Sequence, residues 1–154
     1  MKVPRRRKRT ANVGIFGVGF HKYWPQFDGL LGELKRKLSV FVDRVKGHEV
    51  EVTNFGIIDD ARSAYAVLPK LKAADLDLVF CDMLTYATSA SFAAIVRGLD
   101  VPIVLVTLQQ LKALDYSEAS TYMQLCNDDL CSVPEFTGVA IRMGKKPPPV
   151  ILGT

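Results

Sequence analysis

Metal-binding side chains are scarce in this chain. There are two histidines, His21 and His48, and three cysteines, Cys81, Cys126 and Cys131, with no C-x-x-C pair. A zinc site of four closely spaced ligands is therefore not visible. Three thiols cannot all pair within one chain, and no secretory signal is present, so a reducing, cytoplasmic setting is expected. Long apolar runs are missing as well: none approaches the ~20 residues of a membrane-spanning helix, and no membrane partner is expected. Acids are missing from the first ten residues, where Lys2, Arg5, Arg6, Arg7, Lys8 and Arg9 supply six cations. No secretory h-region follows them, because Gly14, Gly17 and Gly19 interrupt the apolar stretch.

That cluster explains the basic balance. Removing those six from the 20 basic residues leaves 14 against 16 acidic ones, so a net charge of +4 becomes a body charge of −2. The body has no cation excess with which to hold phosphates, and the leader has no aromatic residue for base stacking, so no nucleic-acid partner is expected. Residues 1–11 read as a disordered, solvated leader. A weaker alternative makes them a recruiting arm for an anionic partner. The remaining residues, 12–154, fit one domain with a single core.

What is present is an alternation of strand and helix signals. Asn12–Phe16 is a short apolar strand, followed by a glycine-rich loop to Tyr23. Phe27, Leu30, Leu31, Leu34, Leu38, Phe41, Val42 and Val45 recur at helical spacing, and Gly47 ends that helix. Glu49–Asn54 alternates as a strand, and Asp59 or Asp60 can cap a helix from Ala61 that Pro69 should kink or shorten. Leu76–Cys81 is the third strand, Asp82–Thr88 a loop, Ser89–Arg97 a helix and Val101–Thr107 the fourth strand. A helix over Tyr116–Asp129 capped by Asp115 or Ser117, a short one over Phe136–Met143 and a strand from Pro149 complete the series. The pattern predicts a three-layer α/β/α domain with a mostly parallel, doubly wound sheet of about five strands, flavodoxin- or Rossmann-like. The chain stops after an apolar strand with no covering helix, which suggests a piece of a longer polypeptide.

In such folds functional loops lie at the carboxyl ends of strands. Gly14-x-x-Gly17-x-Gly19 invites a dinucleotide reading, but Lys22 stands where the last glycine belongs and no Walker lysine is present. His21, Lys22, Tyr23 and Trp24 form a polar–aromatic cluster suited to a sugar, or to packing on the first helix. Cys81 lacks a base beside it and reads as structural. Asp82 lacks the acidic pair that a phosphoryl-acceptor site needs. Asn127, Asp128, Asp129 and Glu135 read mainly as helix-end polar groups.

The order of motifs resembles the N-terminal domain of L-arabinose isomerases and their L-fucose isomerase-like relatives. The parts are His21-x-Tyr23-x-Pro25, Leu84-Thr85-Tyr86, a V-P strand followed by Gln109, Ala113–Leu114, Asn127, and Glu135-Phe136 with Arg142-Met143. The resemblance implies an aldose–ketose isomerase whose divalent metal, usually Mn²⁺, is held by later domains and not by this chain. It implies that this domain lines the sugar pocket of a neighbouring subunit in a trimer-based homo-oligomer. Phe20, Lys22 and Tyr23 match its first pocket loop, and Tyr86 an aromatic of the second. Asp128 and Cys131 stand where arabinose isomerases carry Gln and His. Phe20 replaces a Gln and Lys22 a Leu, changes that would alter the accepted hydroxyl pattern. The substrate-binding candidates are Phe20, His21, Lys22, Tyr23, Tyr86, Gln109, Asp128 and Cys131, with no catalytic residue and no metal ligand among them. The rival reading is a stand-alone flavodoxin-like module for a nucleotide or flavin.

Overall fold

A computed structural model of the chain describes residues 10–154; most of the leader lies outside them. Five parallel strands form one sheet in the order β2-β1-β3-β4-β5. They are β1 (Asn12–Val18), β2 (Glu51–Ile58), β3 (Leu78–Met83), β4 (Ile103–Leu108) and β5 (Val150–Gly153). The helices are α1 (Leu30–Lys46), α2 (Ala61–Ala73), α3 (Ser89–Gly98), α4 (Thr121–Cys126) and α5 (Val133–Arg142). Helices cover both faces, so the chain is a three-layer α/β/α domain of the Rossmann/flavodoxin-like kind, with the flavodoxin strand order.

Strand alternation sorts the core into two layers. Val13 and Ile15 of β1 meet Leu30, Leu34, Leu38 and Val42 of α1, with Leu125 of α4 beside them. Phe16 and Val18 point the other way, into the core under α2, α3 and α5, where Phe92 and Phe136 stack with centroids 4.5 Å apart. Along β3, Val79, Cys81 and Met83 belong to that second core. Phe80 and Asp82 therefore face α1.

Several boundaries differ from the sequence expectation. Just before β1, the Ala11 carbonyl accepts from Glu51 N–H at 2.9 Å. Gly17 lies within β1 and not in the loop; a β-carbon there would strike the Leu84 side chain, and the β1–β2 register shifts beside it. Strand β3 runs two residues later than expected, which draws Asp82 into the sheet. Asp60 is the cap of α2, in a reciprocal box with Ser63, while Asp59 is used elsewhere. Helix α2 passes through Pro69 to Ala73. The expected helix over Tyr116–Asp129 forms only as α4, because Asp115 turns locally onto Ser117 N–H at 2.9 Å and Ser120 takes the cap. Helix α5 begins three residues before Phe136, with Pro134 in its first turn. No helix among the described residues is long and apolar enough to cross a membrane.

Candidate functional site

The topology reverses between β1 and β3, and the crevice at their carboxyl ends is the usual ligand position in this fold. The loop after β1 enters it as a single 3-10 turn, His21–Tyr23. Four bonds hold the turn against the end of β2. Gly19 N–H donates to Ile58 C=O and His21 N–H to Asp59 C=O, each at 3.2 Å. Trp24 Nε1–H donates to the Asp59 carboxylate at 2.7 Å, and His21 Nδ1 lies 3.3 Å from Asp59 C=O.

Thus anchored, the loop presents its rings to the crevice. Phe20 meets Tyr23 and Tyr86 edge to face at 5.2 and 5.7 Å, and Tyr23 lies 6.2 Å from Tyr86 and 6.0 Å from Phe27. Tyr86 comes from the loop after β3, which is latched to the start of α5. Ser132 Oγ accepts from Ala87 N–H and donates to Ala87 C=O, both at 2.9 Å, and Glu135 accepts from Ser89 N–H at 3.0 Å. The latch brings Asp128 and Cys131 to the same crevice. Burial, then the nearby Tyr86, Asp128 and Cys131, raise the Tyr23 phenol above its ordinary value. Desolvation pushes the Cys131 thiol up to about 12. Its Sγ–H donates to Asp128 C=O at 3.2 Å, so Cys131 is a protonated wall group and no nucleophile.

Five of the eight predicted residues therefore converge: Phe20, Tyr23, Tyr86, Asp128 and Cys131. His21 lies at the border of this cluster, its ring edge-on to Phe20 at 5.4 Å and its Nδ1 beside Asp59 C=O, and Lys22 is exposed. Gln109 lies in a neighbouring cavity, its Nε2–H donating to Asn127 C=O at 3.1 Å.

Beneath the crevice is a buried network that the sequence reading missed. Lys37 Nζ donates to the Asp129 carboxylate at 2.8 Å, to Cys126 C=O at 3.0 Å and to Leu84 C=O at 3.4 Å. Burial raises Asp129 to about 6 and Asp82 to about 7, against the pull of Lys37 on each. Asp129 Oδ2 and Thr85 Oγ1 are buried without a hydrogen-bond partner among the described residues. A cavity of about 230 Å³ opens beside the network, between α1 and the ends of β3 and β4. Two further hollows lie at the opposite end of the sheet, around Leu99–Val101.

No group of three or more His, Cys, Asp or Glu side chains that could hold a metal ion is found among the described residues. The backbone N–H groups of Gly19, His21, Tyr23 and Trp24 are engaged within the protein, so most of the first loop's donors are turned away from a phosphate. What the arrangement offers is an aromatic wall with a carboxylate, a phenol and a thiol at its edge. Such a wall can cover the C–H face of a small polar ligand while bonding its hydroxyls. No protein-family model matches the chain, and no curated protein matches it either.

Proposed function

We propose that this chain is a substrate-lining and oligomerisation domain of an aldose–ketose isomerase of the L-arabinose/L-fucose isomerase type, inactive by itself. The reading is supported by the meeting of Phe20, Tyr23, Tyr86, Asp128 and Cys131, drawn from three separate segments, around one crevice. The aromatic rings would pack on the sugar and shed water, while Asp128 and the Tyr23 phenol would bond its hydroxyls. A divalent metal such as Mn²⁺, held by other domains, would supply the Lewis acid for the hydride or proton shift. The crevice would complete the pocket of a neighbouring subunit in a cytoplasmic, trimer-based assembly.

The test follows the ring resonances of Tyr23 and Tyr86 by NMR during titration with L-arabinose and L-fucose. Saturable shifts in the millimolar range are expected, lost in Tyr86→Ala. A folded protein whose rings do not respond would refute the reading. So would appreciable isomerase turnover with Mn²⁺ by this chain alone.

The flavodoxin strand order favours a second reading, a nucleotide- or flavin-binding module. It predicts a yellow protein on purification, or a raised Tm with flavin mononucleotide. The N–H groups of Gly19, His21, Tyr23 and Trp24, engaged within the protein, weigh against it.

A further inference from the structure

The cavity beside Lys37 has a charged group that nothing in the protein satisfies. Asp82 is 3% exposed, lines the cavity and accepts no hydrogen bond among the described residues. Its nearest cation cannot serve it. An ammonium has three donors, and Lys37 directs its three to Asp129, Cys126 C=O and Leu84 C=O. The Asp82 carboxyl group therefore turns to the cavity and not to the protein, which leaves it open to a partner entering there.

The mouth of the cavity has the opposite character. Arg36 and Arg44, two turns apart on α1, line it with Gln109 and Gln110. Arg36 is bound by Glu33, but Arg44 has no ion-pair partner among the described residues. Phe41 and Leu108 supply apolar wall between mouth and floor.

We propose that this cavity is a second ligand site, taking a small polyhydroxy acid whose carboxylate meets Arg44 and whose hydroxyls reach Asp82. A guanidinium suits a carboxylate bidentately, and a carboxylic acid can both give and take hydrogen bonds with hydroxyls. About 230 Å³ is room for a ligand of sugar-acid size. The site is separate from the aromatic crevice, and the inference does not rest on the isomerase reading.

Binding is linked to protons through Asp82. The charged groups around it are Lys37, Arg36 and Arg44 from α1 and Asp129 after α4; its partners across the sheet, Gly17 and Val106, are uncharged. Burial raises Asp82 to about 7, so near neutrality it exchanges between an acid that donates to the ligand and a carboxylate that repels it. An anionic ligand favours the acid form, and affinity rises as pH falls.

Gluconate is the probe, because its carboxylate does not titrate near neutrality. Isothermal titration calorimetry on the full chain should give one saturable site, about tenfold tighter at pH 6 than at pH 8. Arg44→Met, at an exposed position, should weaken binding roughly tenfold at both pH values. Asp82→Asn should bind with the same affinity at both, and Tyr86→Ala should bind as the parent does. Absence of binding, tighter binding at pH 8, indifference to Arg44→Met or loss in Tyr86→Ala would each overturn the proposal.

Discussion

Two neighbouring hollows at the carboxyl ends of the strands are built on different physics. The crevice between β1 and β3 is walled by half-buried rings whose contacts are tolerant of small shifts. The cavity over β3 and β4 is floored by buried charges whose contacts are not. In the first, burial of aromatic area and recognition are compatible, and the chain loses little by building it. In the second, Lys37 and Asp129 are stable only as a pair, and Asp82 is buried at the cavity wall with no hydrogen bond from the described residues. Interaction with a ligand is the simplest reason to keep such a residue where a hydrophobic one would fit.

The largest expected effect breaks the charged side of the comparison. Lys37→Met removes the ammonium from a pair whose side chains are 9% and 1% exposed, and strips a donor from two backbone carbonyls. Leaving a buried charge uncompensated should cost about 3–5 kcal/mol, read as a lower urea midpoint at unchanged slope. A loss below about 1 kcal/mol would mean that the ion pair is wetter than its burial indicates.

Asp82→Asn tests the unpaired acid, and the sign follows from linkage. A carboxyl raised to about 7 when folded binds its proton more tightly in the native state than in the unfolded one. Its contribution is therefore fully present below the unfolded value near 4 and is lost as pH rises through 7. The substitution should raise stability by on the order of 2 kcal/mol more at pH 8 than at pH 5. Tm measured at both pH values checks this, and an equal shift at both would remove the titration argument.

Ser132→Ala tests whether the aromatic side depends on its latch. One hydroxyl satisfies both backbone groups of Ala87, and Ser132 is 1% exposed. Its loss should cost about 1–2 kcal/mol. It should also loosen the Tyr86 loop, visible as faster amide exchange at Ala87 than in the α1 core. Unchanged exchange there would show that packing alone positions Tyr86.

These two regions were also unequally legible. The five strands and the doubly wound arrangement follow from apolar runs alternating with helical stripes, a local signal. So does the aromatic cluster of the first loop, since Phe20, Tyr23 and Trp24 are adjacent and follow a strand. The charged network was not legible. Lys37 and Asp129 are 92 residues apart. Lys37 sits just off the apolar stripe of α1, where a solvated lysine is the ordinary expectation. Nothing local separates Asp128 at the crevice from Asp129 in the core. The two-residue offset of β3 hid Asp82, because a residue read as a loop acid is in fact a strand residue aimed under α1. Gln109 entered the candidate set through the family resemblance, and the sheet sets it at the cavity beside Lys37.

The smallest stability effect is expected at the residue that should matter most for recognition. Tyr23→Phe keeps the ring contacts with Phe20, Tyr86 and Phe27 and deletes only the phenol oxygen beside Asp128 and Cys131. Stability should move by less than about 0.5 kcal/mol, as at surface positions without a committed partner. Sugar-induced shifts at Tyr86, by contrast, should weaken roughly tenfold, because a site that bonds a hydroxyl loses much when one of its polar groups goes. A variant that binds sugar as the parent does would make the crevice an apolar platform and shift hydroxyl recognition to Asp128.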